Sequence, residues 1–171
     1  MMTEHVDLPK GKQTDLGLYL TAKEAYEKWT TDPQRVKILD VRTPEEYIFV
    51  GHPEMARNIP IGFVKHQWDS KKHQPVFAPN ADFIATAKRV FRADDTILVT
   101  CRSGGRSALA VNALAKAGFT NAYSITDGVE GDVVKDPDSS DCGKRTKHGW
   151  KNSGSPWTYE VDPALLWTDN S

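Results

Sequence analysis

Cysteine is scarce in this chain, with two among 171 residues, Cys101 and Cys142. Two thiols cannot build a disulfide framework, and their spacing matches no zinc-ligand pattern, so no metal is expected. Nor is there any apolar run long enough to span a bilayer. The start, "MMTEHVDLPKGKQTDLG", has no apolar stretch behind it, so neither a secretory signal nor a lipid-attachment motif is visible. Charge of one sign does not dominate either: 22 Lys and Arg face 23 Asp and Glu, for a formal net charge of -1. That balance offers no field for nucleic acid or an anionic membrane, and neither is expected as a partner. These absences set the expectation of a cytoplasmic protein. No internal repeat is visible.

What is present suits one ordinary domain with a buried core, since 39% of the residues are apolar. Short β-like runs alternate with helical segments. "TAKEAYEKWT" predicts a helix with Thr21 as N-cap and Glu24 closing a capping box. "VKILDV" reads as a strand, and Pro44 in the following "RTPEEY" suits a helix start. "ARNIPI" reads as another short strand and the polar "QWDSKKHQPVFAPN" as a loop. "ADFIATAKRVF" predicts a helix with Asn80 as its N-cap. "DTILVT" follows as a β-branched strand, then "RSALAVNALAKAG" as a helix ending at Gly118, then "NAYSIT" as a last short strand. Such alternation argues for an α/β domain with a doubly wound, mostly parallel sheet and helices on both faces.

Residues 1–15 read as an N-terminal extension and 16–171 as the domain. Within it, 133–148 is polar and reads as an exposed insertion that carries Cys142 as an exposed thiol. Residues 149–171 hold three Trp and a Tyr in "GWKNSGSPWTYEVDPALLW", too aromatic for a disordered tail, and are expected to pack back on the domain.

Cys101 stands between the strand "TILV" and the helix "RSALAVNALAKAG". In open α/β sheets the crevice beyond the carboxyl ends of the strands is where ligands bind. The intervening "RSGG" supplies Gly104 and Gly105 for a tight curl that can aim several backbone N–H groups at the sulfur, and the helix dipole adds positive potential. Arg102 and Arg106 add full charges. A cysteine alone reads as a small buried apolar residue. Set among two Arg and two Gly at a strand-to-helix junction, it reads as a nucleophile in an anion cradle.

These residues resemble the rhodanese family of sulfurtransferases. "CRSGGRS" is similar to the family's active-site pattern, "LDVRTPEEY" with "GHPEMARNIP" to its upstream signature, and "GFTNAYSITDGVEG" to its strand and glycine turn after the active-site helix. The likeness covers roughly residues 16 to 131, and "GWKNSGSPW" looks like the family's closing Trp segment displaced by the insertion. Two departures stand out: the usual "GHIPGA" is here "GHPEMA", and the insertion separates the glycine turn from the closing Trp.

The resemblance implies a rhodanese-like fold and transfer of a sulfane sulfur. Cys101 would become a persulfide, taking sulfur from a small anionic donor such as thiosulfate and passing it to cyanide, a thiol or a protein acceptor. Arg102, Ser103, Gly104, Gly105, Arg106 and Ser107 would bind the donor, with Asp40 and Arg42 as a supporting ion pair and no metal or organic cofactor. Glu46 reads as a helix-surface or ion-pairing residue, His52 as structural rather than a proton shuttle, and Trp150 as packing rather than a pocket wall. Two alternatives stay open. A phosphatase or arsenate reductase of related fold would use a similar Cys-to-Arg loop, but one residue longer, which makes the shorter loop here favour sulfur. A non-catalytic binding module of the same fold commonly loses the cysteine that this chain keeps.

Overall fold

A computed structural model describes residues 7–171. Its elements in chain order are β1 (Tyr19–Leu20), α1 (Ala22–Thr31), β2 (Val36–Asp40), α2 (Pro44–Phe49), β3 (His52–Pro53) and β4 (Arg57–Asn58). They are followed by β5 (Gly62–Asp69), β6 (Gln74–Pro79), α3 (Phe83–Val90), β7 (Thr96–Thr100), α4 (Gly105–Lys116), β8 (Ala122–Ile125) and β9 (Trp157–Thr158). A central five-stranded sheet has the order β1-β8-β7-β2-β4, and every pairing in it is parallel.

Alternation along its strands splits the core in two. Leu39, Val41, Ile97 and Val99 face α3 and α4, where they meet Phe83, Ala87, Ala110, Val111 and Leu114. Val36, Ile38, Leu98 and Ile125 face the other way, onto Ala22 and Ala25 of α1, Tyr47 of α2, and Trp150. The expected α/β architecture with helices on both faces is what the chain adopts. Each fully buried Leu or Ile contributes about 1.5–3 kcal/mol by leaving water.

Local signals explain the helix starts. Thr21 and Glu24 form the expected capping box on α1, and Thr43 with Glu46 forms a second on α2, where Pro44 occupies the first turn. At α3 the expected cap differs. Asn80 lies outside the helix, its amide donating to the Pro60 carbonyl at 2.9 Å, and Asp82 occupies the cap position without a side-chain bond.

The stretch expected as a loop between "ARNIPI" and α3 is instead a hairpin, with β5 and β6 pairing antiparallel in a two-stranded sheet of their own. Its polar sequence concealed it because neither face is fully buried: Val64, Lys65, His66, Gln67 and Trp68 are exposed in succession. "NAYSIT" is not the last strand, since β9 pairs antiparallel with β3 and brings the C-terminal segment back onto "GHPEMA".

The stretch 1–15 falls partly on residues 1–6, outside the described residues. Its remainder lies against α4, with the Asp15 amide donating to Asn112 Oδ1 at 2.9 Å and a short 3-10 turn at Lys10–Lys12. No helix among the described residues is long and apolar enough to cross a membrane.

Candidate active site

Asp40 and Thr100 are register partners at the carboxyl ends of β2 and β7, and the Val41 amide continues the ladder to the Thr100 carbonyl at 2.9 Å. The residues that follow these two strands therefore emerge side by side. One emerging segment is Val41–Arg42 and the other is the Cys101 loop.

Cys101 is buried, and its sulfur accepts a hydrogen bond from the Gly104 amide at 3.1 Å. Ser107, one turn into α4, lies 3.6 Å from the sulfur and is also buried. Its hydroxyl is held by the Gly104 carbonyl at 3.0 Å and by Ser124 Oγ at 2.9 Å. Ser107 gives its one O–H to that carbonyl and accepts from the thiol, so it positions the sulfur, while the Gly104 amide and the N-terminus of the 12-residue α4 are the groups that stabilise negative charge there.

The curl depends on two glycines. Gly104 has φ +111°, and a Cβ on it would stand 2.5 Å from the Thr126 carbonyl oxygen. A Cβ on Gly128 would stand 2.5 Å from the carbonyl oxygens of both Cys101 and Arg102. Those carbonyls are needed, because they accept the amides of Val129 at 2.8 Å and Glu130 at 3.0 Å. The turn after β8 is in this way bonded to the back of the cysteine loop.

The arginines have different fates. Arg102 is exposed, and among the described residues its guanidinium has no ion-pair partner. Arg106, expected to bind the donor, opens α4 and is engaged by Glu46, with Nη1 and Nη2 donating to its two carboxylate oxygens at 2.6 and 2.7 Å. Burial would lower the Arg106 pKa and raise that of Glu46. The mutual hydrogen bonds and attraction outweigh it, so Arg106 is raised and Glu46 lowered, and both stay charged. Ser103 and Gly105 are half-buried parts of the curl.

Asp40 and Arg42 form a fully buried ion pair at 2.7 Å, and Arg42 also donates to the Gly51 carbonyl at 2.8 Å. Burial opposes the Arg42 charge, but the Asp40 carboxylate prevails and its pKa is raised. Asn58 ties the same segment by donating to the carbonyls of Asp40 and Arg42 at 3.1 and 2.9 Å. This network fixes the backbone beside the Cys101 loop.

His52 is buried, stacks on Tyr47 at 3.6 Å between ring centroids, and bonds the Tyr47 carbonyl through Nδ1 at 2.8 Å. Burial pushes its pKa down and favours the neutral ring. Trp150 is fully buried against α1, edge-on to Tyr26, with its indole N–H on the Pro156 carbonyl at 2.8 Å. Cys142 is exposed in the polar stretch.

Sequence reading missed Lys12. Its side chain is 15% exposed, passes 3.1 Å from where a Cβ on Gly104 would lie, and donates to the Thr126 carbonyl at 3.0 Å. Nothing local in "LPKGKQ" signals a contact with a loop so far along the chain.

Against known families, the model of the Rhodanese-like domain matches residues 21–133, from the N-cap of α1 to the turn beyond β8. The chain belongs to the rhodanese-like domain family. An uncharacterized protein of Rickettsia prowazekii is 32% identical over 122 residues, 71% of this chain and 82% of that protein. Thiosulfate sulfurtransferase 16, chloroplastic, of Arabidopsis thaliana is 37% identical over 92 residues, 54% of this chain and 69% of that protein. The crystal structure of Rv0390 from M. tuberculosis superposes with a TM-score of 0.63 at 27% identity, covering 82% of this chain and 96% of that one. This rhodanese-like chain thus has relatives named as sulfurtransferases at modest identity. Its family implies a sulfur donor and a sulfur acceptor in general terms. Lys12 lies before the matched stretch, and most of the insertion lies after it.

Proposed function

We propose that this protein is a sulfurtransferase of the thiosulfate type, with Cys101 as the sulfur carrier. The observation that carries the reading is the Cys101 sulfur itself, held at the sheet's carboxyl edge by the Gly104 amide at 3.1 Å, with Ser107 beside it. In the first step the Cys101 thiolate attacks the outer sulfur of thiosulfate. The sulfur–sulfur bond breaks, its electron pair leaves with sulfite, and Cys101 carries a persulfide. In the second step cyanide or an acceptor thiolate attacks the terminal sulfur of that persulfide. The Cys101 thiolate departs with the bonding pair, and the product is thiocyanate or the acceptor's persulfide. Every electron is accounted for within the two displacements, so the cycle needs no external oxidant.

The residues divide the work. Gly104 and the α4 N-terminus stabilise the anionic sulfur as it forms and leaves. Arg102, exposed and without an ion-pair partner among the described residues, is suited to meet the sulfonate of the donor. Arg106 and Glu46 together, and Asp40 with Arg42, hold the loop. The engagement of Arg106 weighs against the phosphatase or arsenate reductase alternative, because an oxyanion in the loop would have to compete with Glu46 for that guanidinium.

Mass spectrometry of the intact protein after incubation with thiosulfate tests the proposal. A gain of one sulfur, mapped to Cys101 and absent in Cys101→Ser, is expected. Undiminished cyanide-dependent turnover of thiosulfate by Cys101→Ser would overturn it.

A further inference from the structure

A second site lies where the N-terminal turn meets the insertion. An open cavity of about 540 Å³ is lined by Pro9, Lys12, Asp132, Val133, Lys135 and Arg145. Three cations, Lys12 from the N-terminal turn and Lys135 and Arg145 from the insertion, line it together with one carboxylate. That carboxylate, Asp132, is already paired with Lys12 at 2.8 Å. Among the described residues, neither Lys135 nor Arg145 is in an ion pair. Arg145 keeps one guanidinium nitrogen on the Gly131 carbonyl and leaves others free.

The cations are positioned by the fold. The insertion closes on itself, as the Val134 amide donates to the Lys144 carbonyl at 2.8 Å and the Gly143 amide to the Val134 carbonyl at 2.9 Å. Val134 is buried, so the backbone carrying Lys135 is anchored against the backbone carrying Arg145. Lys12 is held from the opposite wall by the Thr126 carbonyl and Asp132. Two cations without an ion pair among the described residues, set at a concave surface, raise the local concentration of anions and suit a ligand with several acceptor oxygens. The cavity falls in the range of small-molecule pockets, roughly 300–1,000 Å³, and exceeds the needs of a single hydrated ion.

We propose that this cavity is a binding site for a small polyanion bearing carboxylate or phosphate groups, distinct from the cradle around Cys101. Lys135 and Arg145 hold the ligand, while Lys12 forms the wall shared with the active-site loop through its contact at Gly104. The site is assembled from chain on either side of the family's matched stretch, except for Asp132 and Val133.

Isothermal titration of the full chain with citrate and, separately, with pyrophosphate at low ionic strength tests this. Saturable binding with a Kd below about 1 mM is expected for at least one of them. Tighter citrate binding identifies the ligand as a carboxylate and tighter pyrophosphate binding as a phosphate. Lys135→Met should weaken the interaction by about tenfold or more, and Lys135→Met with Arg145→Gln further. Lys135 is exposed, so its substitution alone keeps the test valid if loss of Arg145 disturbs the Gly131 turn. No saturation with either anion up to about 20 mM would overturn the proposal. So would unchanged affinity in Lys135→Met, because the anion would then be bound somewhere other than this cavity. Because binding is the readout, neither result depends on sulfur transfer at Cys101.

Discussion

Arg106 and Glu46 are joined by two parallel hydrogen bonds, 2.6 and 2.7 Å long, that tie the first turn of α4 to α2. A cation in the first turn of a helix opposes the helix dipole, and Glu46 offsets that cost while its other bonds cap α2. One carboxylate therefore fixes both the helix that follows the nucleophile and the helix that follows Arg42.

Glu46→Gln should lower the stability of the protein by about 1–2 kcal/mol, a value held down by the partial exposure of the pair. The pH dependence has a definite sign. Glu46 has its folded pKa below the ordinary value of 4.5, so its contribution is fully present above that value and fades as pH falls through the lowered one. Thermal unfolding of both proteins across the acid range should show the difference at pH 7 shrinking toward zero. A constant difference would remove this account of the pair.

Arg102→Ala should leave the unfolding midpoint unchanged, since the side chain is exposed and without an ion-pair partner among the described residues. Loss of one charged contact with the donor, about 1.5–3 kcal/mol, should cut kcat/KM for thiosulfate by about tenfold or more, chiefly through KM. Thiosulfate, a dianion, should also be preferred over 3-mercaptopyruvate by the unmodified protein. Steady-state kinetics with both donors decides both points, and equal use of 3-mercaptopyruvate would reject this role for Arg102.

Gly104→Ala combines a positive φ with a Cβ 2.5 Å from the Thr126 carbonyl. The backbone preference alone costs about 1–2 kcal/mol, and relieving the contact must move the amide that donates to Cys101. Calorimetry should show a lowered Tm, and the yield of Cys101 persulfide should fall with it. Wild-type behaviour in both would mean that the curl tolerates a side chain.

Asp40→Ala leaves the fully buried Arg42 without its carboxylate and should cost about 3–5 kcal/mol, a fall in Tm of roughly 6–20 °C. Replacing both residues, Asp40→Leu with Arg42→Met, should recover part of that loss, because no unpaired charge remains inside. Denaturant titrations of the single and double variants provide the comparison, and a double variant no better than the single would argue against an electrostatic origin.

The local elements were legible in the sequence because their causes are local. Thr21 and Glu24 cap a helix whatever surrounds it, Pro44 starts one, and the continuous apolar, β-branched run "TILV" suits a strand covered on both faces. The Cys-to-Arg loop was legible for the same reason, since Gly104 sits within hydrogen-bonding reach of Cys101 along the chain. The β5–β6 hairpin was not, because its exposed Val64 and Trp68 leave no fully buried face to impose alternation.

What tertiary structure alone decided is which distant residues meet that loop. The sequence places Arg102 and Arg106 on one loop, and packing of α2 against α4 pairs Arg106 with Glu46 while Arg102 has no ion-pair partner among the described residues. Strand order brings Asp40 beside Thr100, the turn at Gly128 beneath Cys101, and Lys12 against Gly104. Hydrogen bonds and ion pairs act over a few ångströms, while these partners are far apart along the chain. Their proximity follows from burying two faces of one parallel sheet, which no short stretch of sequence encodes.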